Sequence, residues 1–563
     1  MHHQLSLRSK LIIMCSVMAS LFLVALDQTI VSTALSKIVE QFNAFDSLSW
    51  IVTAYLITTT ITVPIAGKMS DLFGRKIMLL IGVAIFTAGS LLSGTSGTMN
   101  ALIFHRAIQG IGGGIITANA FTIVGDLFAA RERGKWQGLI GAVFGVSSVV
   151  GPLLGGWLTD GAKIMGVTTD WHWIFYINIP IGIVAFLLVL IFCPALRHDK
   201  KPKVDCIGAV LIAAILGLLV LAVDNTDTIF SGLMKQVGLN LVALRAIMFG
   251  LIAVLIAAFA FVENKVKEPI LPLSLFKNRD FVIIIIVAAL FGGAFMGSVL
   301  YLVQFNQQVF GATATGSGLM LLPMMAGDMI SSIGVGQLIT KTGKYKRFII
   351  LGLSLTTIGL FSLMTLNQNS PYMQEAIIML IVGFGMGSVL PVLSLAMQSE
   401  FRIDELGVAT SSSQLFRSLG STIGTALFGA VLTAGMVSNV SVIKNTDYIR
   451  SLEKIPQAKQ IGDFNDSNTL LNLNMPDVKE EITQKFSDST NKLPENYKKI
   501  AKDKFITSQN KFSIKVKSAF VSSLRRIFLT AGFMALFATI IIIGLREKTL
   551  RKASETYTPG EEN

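Results

Sequence analysis

Apolar runs of roughly 18–25 residues recur along this chain, each long enough to cross a hydrocarbon core of about 30 Å. No soluble core needs so many. A soluble protein of 563 residues would divide into several domains and carry about 25% charged residues. Here 14% are charged and 52% are hydrophobic. The fold class these runs imply is an all-α integral membrane protein.

Fourteen spans are expected, near 11–35, 49–69, 77–95, 99–124, 136–158, 173–193, 206–223, 242–262, 281–303, 316–340, 347–366, 375–398, 408–436 and 524–545. The first follows Arg8 and Lys10, contains Asp27 and lacks a small-residue cleavage site, so it reads as a retained span and not a signal peptide. Lys and Arg alternate between loops. One set holds Arg75 and Lys76; Arg131, Arg133 and Lys135; Arg197, Lys200, Lys201 and Lys203; Lys265 to Arg279; and Lys341 to Arg347. The tail adds Arg546, Lys548, Arg551 and Lys552. The positive-inside rule makes this set cytoplasmic. Both termini then lie inside, which requires an even number of spans. Residues 437–523, polar and rich in lysine, fall outside by parity, and long loops translocate regardless of charge.

The net charge of +13 is explained by these loops and gives no reason to expect nucleic acid. Cys15, Cys193 and Cys206 lie in or beside apolar runs, with no disulfide or metal spacing, and His2 and His3 are no metal site on their own. The 437–523 segment has Val478, Ile482 and Phe486 at helical spacing, with Pro476 and Pro494 near helix starts. One or two amphipathic helices on the outer mouth or membrane surface compete there with an unstructured loop. The tail 546–563 reads as disordered.

Two segments repeat. Gly67 to Lys76 ends the second span and Gly336 to Tyr345 ends the tenth, each with two glycines seven apart and basic residues beside them. Such symmetry is expected of two similar halves around a midplane site.

Ionisable residues inside spans are the candidates for chemistry, because each costs a few kcal/mol to insert and is functional by default. Asp27 lies deep in the first span, as a protonation site or a counter-ion for a cationic substrate. The alternative is a hydrated or capped carboxylate. Asp328 lies mid-span in the tenth beside Met324, Met325 and Met329, soft side chains that suit varied apolar cations or plain packing. Arg106, inside the fourth span, needs a carboxylate or backbone partner; it can tune a nearby acid or form a structural ion pair. Its neighbour His105 is a possible shuttle or a packed histidine. Arg417 in the thirteenth span poses the question again. In the fifth span Gly141 and Gly145, then Gly151, Pro152, Gly155 and Gly156, suit close helix approach and a hinge, or static packing.

These residues together resemble the major facilitator superfamily, specifically its fourteen-span drug:proton antiporter family, over nearly all of the chain except 437–523. Gly67 to Lys76 looks like the signature between spans two and three. Leu26 to Leu35 looks like the first-span signature, with Ser32 where the family usually has Asn. Arg106 to Gly114 resembles the fourth-span signature, and Gly151 to Gly156 the fifth-span signature associated with antiporters. Trp171 to Pro180 resembles the opening of span six, with His172 in place of the usual Arg.

The resemblance implies a six-helix bundle at 1–196, two inserted helices at 197–280 and a second bundle at 281–545, working by alternating access. It implies a cytoplasmic gate of Gly67, Asp71, Gly74 and Arg75, with Asp126 a partner for Arg75. Thr340 stands at the Asp71 position of the second copy, which makes an equivalent lock weaker or absent. Asp328 resembles the acid of exporters for quaternary ammonium compounds.

The function expected is export of amphipathic, cationic drugs in exchange for protons across the cell membrane, by a functional monomer without cofactors. No phosphate-binding Gly-x-x-x-x-Gly-Lys-Ser/Thr loop is present to support an ATP-driven pump. An exporter of an endogenous lipid, peptide or metabolite is the main rival. A nutrient importer is disfavoured only through the fifth-span resemblance. A membrane enzyme would need clustered catalytic groups, and the five histidines are scattered.

Overall fold

A computed structural model describes residues 6–550 apart from 43–47, 160, 165, 194–204, 224, 225, 227–229, 403, 404, 454–463, 465, 466 and 491–493. His2 and His3, the basic loop at Arg197, Lys200, Lys201 and Lys203, the side chain of Ser32 and the tail from 551 lie outside the described residues. Among the described residues fourteen helices are long and apolar enough to cross a membrane. They are numbered here as spans 1 to 14: Arg8–Val31, Trp50–Phe73, Arg75–Gly94, Met99–Leu127, Ala130–Thr159, Trp173–Phe192, Cys206–Val223, Leu241–Glu263, Arg279–Gln308, Gly316–Thr342, Lys346–Leu363, Tyr372–Glu400, Leu406–Val440 and Asn496–Ile543. The protein is all-α in class. A ladder of Lys163–Ile164 with Val167–Thr168 is the one small strand pair described.

Local sequence sets several helix ends. Thr98, Asn240, Asn278 and Thr313 each accept a backbone N–H in the first turn of the helix that follows, satisfying donors the helix cannot. The glycine repeat has a backbone basis. Gly74 (φ 95°) and Gly343 (φ 72°) both adopt left-handed conformations where the chain leaves one span and enters the next, a geometry other residues resist. The earlier glycines of each pair sit at contacts between the two halves. A Cβ on Gly67 would strike Ser411 and Gly407, and one on Gly336 would strike the Gly134 backbone.

Spans 1–6 pack chiefly on one another, as do spans 9–14, and the two groups meet along two seams, span 5 against span 10 and span 2 against span 13. Spans 7 and 8 pair with each other, and span 7 also lies against spans 2 and 13. Only 17% of the most apolar part of span 8 is buried, and Val242, Val254 and Phe261 are well exposed. This pair is therefore peripheral, with an apolar surface suited to lipid. Lys68 of span 2 meets Glu268, beyond span 8, at 2.7 Å.

The limits expected for the long polar insert, 437 and 523, fall inside helices. Span 13 belongs to a helix that continues to Lys444, and the last helix starts at Glu495, just after Pro494, and runs to Ile543. Its 49 residues are more than twice the ~20 that a membrane requires. A 14-residue helix starts at Pro476, and its Val478, Ile482 and Phe486 pack against the core of the second half. Phe486 stacks on Phe505 with centroids 4.0 Å apart. The predicted apolar positions thus pack in part against protein. This hairpin stands at the end of the bundle opposite the Arg75 loop. It is joined to span 9 by Asn474, whose amide donates to Gln308 Oε1 (2.8 Å) and whose oxygen accepts from Ser513 (2.6 Å).

Candidate functional site

Asp27 is fully buried and three residues donate to it. Arg106 Nη1 lies 2.6 Å from Oδ2; Gln109 Nε2 and Asn178 Nδ2 lie 2.9 and 3.2 Å from Oδ1. Arg106 also donates to Gln109 Oε1 at 2.7 Å and, at 3.4 Å, to the Ile51 carbonyl. Its guanidinium lies over the Tyr55 ring, 4.3 Å from the centroid. Asn178 is linked onward to Ser90 at 3.0 Å. A buried charge pair is tolerated only when its remaining donors and acceptors are met, and spans 2, 3, 4 and 6 supply the partners. His105 bonds Ser96 instead, at 2.9 Å.

The order follows from helix geometry. Arg106 and Gln109 are three apart, hence on one face of span 4. Asn178 begins the longer piece of span 6, Asn178–Phe192, where a short polar side chain is easily placed. The sequence singled out Arg106 and Asp27. Gln109 and Asn178 were legible only as members of quoted motifs, and Ser90 carried no signal, since a serine in an apolar run is unremarkable.

Asp328 has different surroundings. It lines a narrow pocket with Phe144, Gly145, Ser148, Met324, Met325 and Met386, at the seam where span 10 meets spans 5 and 12. No hydrogen bond or ion pair of its carboxylate is found among the described residues. A Cβ on Gly145 would lie 3.6 Å from Asp328 Oδ2, so the absence of a side chain there keeps that side of the carboxylate open. Arg417 does not join Asp328. It donates to Gln414 Oε1 from Nε and Nη2, at 3.0 and 2.8 Å. The candidate residues therefore form no single cluster: a closed ion pair lies inside the first half, an open carboxylate at the seam, and a guanidinium in the second half.

The Arg75 end of the bundle is clasped. Arg75 contacts Asp71 at 2.5 Å and Asp126 at 2.8 Å. Asp71 then accepts the backbone N–H groups of Gly407 and Val408, at 3.2 and 3.1 Å, where the start of span 13 favours a negative charge. The repeat supplies the pseudo-symmetric contact by other means. Thr340 bonds back within its own helix, while Arg131 donates to the carbonyls of Thr340 and Lys341, so a cation meets the carbonyl end of span 10. Arg133, which sequence reading treated only as a loop charge, donates to Gly125 O (2.8 Å), Phe128 O (3.0 Å) and, across the halves, Gln398 O (3.3 Å). Gln398 returns a bond to Phe121 O at 2.8 Å.

The fifth-span residues lie along these contacts. Gly151 sits where a Cβ would collide with Thr29, whose hydroxyl donates to Ser147 O at 3.0 Å. Pro152 lies on the other side, 3.4 Å from the position of a Cβ on Gly318 in span 10. Gly155 and Gly156 are buried.

Residues 17–425 match the family model of the Major Facilitator Superfamily. The chain belongs to that superfamily. It is 38% identical over 475 residues to multidrug transporter protein MdtP of Bacillus subtilis, covering 83% of this chain and 84% of the relative. It is 36% identical over 410 residues to multidrug resistance protein 3 of the same organism, covering 73% and 77%. The solved proton:xylose symporter XylE shares the fold at 14% identity, with a TM-score of 0.58 over 96% of this chain and 97% of that one. As a member of this superfamily, the chain is a multi-pass membrane transporter and its substrates are small molecules.

Proposed function

We propose that this transporter is a proton-coupled antiporter exporting amphipathic, cationic drugs from the cytoplasm by alternating access. The observation that carries the reading is the pair of unlike carboxylates: Asp27 locked to Arg106 inside one half, and Asp328 open to a methionine-lined pocket at the seam. A negative group beside an adaptable apolar wall suits a lipophilic cation. A carboxylate whose guanidinium partner compensates its charge suits a proton that comes and goes as that pairing changes. The multidrug names of the Bacillus relatives agree with this reading.

The basic loops favour a cytoplasmic Arg75 end in a plasma-membrane protein, with both termini inside and the hairpin outside. The clasp then closes the cytoplasmic side. A proton taken up at Asp27 weakens its hold on Arg106, and a cation at Asp328 neutralises the pocket before release outward. No cofactor is required: one charge crossing 100 mV is worth about 2.3 kcal/mol. A monomer contains every group in this scheme.

Ethidium uptake into inverted vesicles, driven by an imposed proton gradient, tests the reading. Asp27→Asn is expected to insert normally and to lose gradient-driven uptake. Wild-type uptake by that variant at normal expression would sink the proposal.

A further inference from the structure

A further buried acid stands at the edge of a span. Glu375 lies in the first turn of span 12, at the end opposite the clasp, and is 0% exposed. Its neighbour is Asn306 of span 9, also 0% exposed. One terminal atom of the Asn306 carboxamide lies 2.9 Å from both Glu375 oxygens, and the other lies 3.5 Å from the Ser317 carbonyl oxygen. Three other charged or titratable groups toward this end of the bundle have partners of their own. Lys517 donates to Val309 O at 2.6 Å, Arg525 to Leu366 O at 3.3 Å, and Tyr372, one turn before Glu375, to Met320 O at 2.9 Å.

The two ends of a carboxamide are not equivalent. Beside an ionised Glu375, the Asn306 N–H must point to the carboxylate, and the Ser317 carbonyl then loses its donor from the amide. Beside a protonated Glu375, the Asn306 oxygen accepts the acid proton and its N–H turns toward Ser317 O. One amide rotation therefore reports the charge of Glu375 to Ser317. Burial without a cation favours the acid, while the first turn of a helix favours the anion, so both forms are accessible.

Ser317 lies in the short helix Ala314–Leu319, which packs on span 5 beside Pro152. Gln307, next to Asn306, holds the Ser317 hydroxyl at 3.0 Å. This helix is one place where the two halves touch at the end opposite the clasp.

We propose that Glu375 is a second proton-binding carboxyl of this transporter, whose protonation, read by Asn306, holds the short helix at Ser317 against span 5. It rests on the antiport reading only in supposing that protons are the coupling ion. Proton uptake from the outer side then closes the outer contact, the step that alternating access requires before the clasp opens.

Spin labels on Leu153→Cys and Leu322→Cys, in full-length reconstituted protein lacking Cys15, Cys193 and Cys206, read this contact by pulsed dipolar spectroscopy. The background also carries Asp27→Asn and Asp328→Asn, so the result does not depend on coupling at those sites. Between pH 5 and pH 9 the distance is expected to lengthen in one transition. Glu375→Gln is expected to hold the short distance throughout, Glu375→Asp to retain the transition, and Asn306→Leu to abolish it. A distance that does not vary with pH, or a transition that survives Glu375→Gln, overturns the proposal. Should Glu375→Gln fail to fold, a transition surviving Asn306→Leu overturns it equally. Loss of ethidium transport in Asp27→Asn with this transition intact would support both readings; transport without gradient dependence would overturn the antiport reading and the coupling role of Glu375, and a transition still lost in Glu375→Gln would leave only its pH-dependent contact.

Discussion

Arg106 shows how much one side chain does here. It spans Asp27, Gln109 and the Ile51 carbonyl and covers the Tyr55 ring. An ammonium is a point charge that cannot keep this fork and this stacking together. Arg106→Lys is therefore expected to lose at least one charged hydrogen bond, worth about 1.5–3 kcal/mol, read as a lower unfolding temperature together with slower ethidium efflux. Wild-type values for both would mean that charge alone suffices. Asp328 should behave otherwise, because nothing described pairs with it. Asp328→Asn is expected to leave stability near wild type and to slow efflux of dications more than monocations, since a second charge doubles the Coulomb attraction. Equal slowing of both classes would assign Asp328 to coupling. Sequence could expose these residues because a charge in an apolar run is conspicuous. It could not show which charges meet. That depends on the packing of spans 1, 4 and 6 for Asp27, and on the distance kept between spans 10 and 13 for Asp328 and Arg417. Glu375 was hidden at a span edge, where an acid reads as an ordinary helix start.

At the scale of elements, the glycine repeat was legible and its meaning was not. Spacing alone could not distinguish the turning glycines, Gly74 and Gly343, from the contact glycines, Gly67 and Gly336. That division depends on what lies opposite: Ser411 and Gly407 for Gly67, and the Gly134 backbone for Gly336. Backbone cannot move aside as a side-chain end can, so Gly336→Val must push span 10 away from span 5 at the Arg75 end. Overpacking of this kind costs about 1–3 kcal/mol, roughly a fivefold to hundredfold change in the balance between clasped and open forms. Ser411, 1% exposed at the neighbouring seam, offers the readout. In a background lacking the native cysteines, Ser411→Cys is expected to react with a maleimide several times faster when Gly336→Val is added. An unchanged rate would show that the clasp does not depend on this approach.

On the scale of the whole molecule, hydropathy found the fourteen spans because each crossing leaves its own mark on the sequence. It placed the last one from 524, whereas the helix begins at Glu495, because its lysine-rich first part leaves the apolar window without leaving the helix. What that polar part packs against is a tertiary fact. Tyr448, Leu452, Leu473, Phe505 and Phe512 all belong to the same core cluster as residues of spans 9 to 14, and Tyr448 and Phe512 have ring centroids 5.0 Å apart. The hairpin is therefore an extension of the second half's core, and its loss should be felt beyond the loop. Phe486→Ala removes the ring stacked on Phe505 at the far end of this extension. Large-to-small changes at well-packed aromatics cost about 3–5 kcal/mol, and less where the ring is half exposed. That change is expected to raise trypsin cleavage of the hairpin while leaving the unfolding temperature of the bundle nearly unchanged. Deleting 446–511 behind a short linker reaches further in. It removes Tyr448, Leu452, Leu473 and Phe505 together with the Asn474 link to Gln308 on span 9. The shortened protein is expected to insert but to unfold several degrees lower, measured by thermal denaturation in detergent. If it unfolds at the wild-type temperature, the hairpin is an independent cap, and the packing between it and spans 9 to 14 contributes nothing to the stability of the bundle.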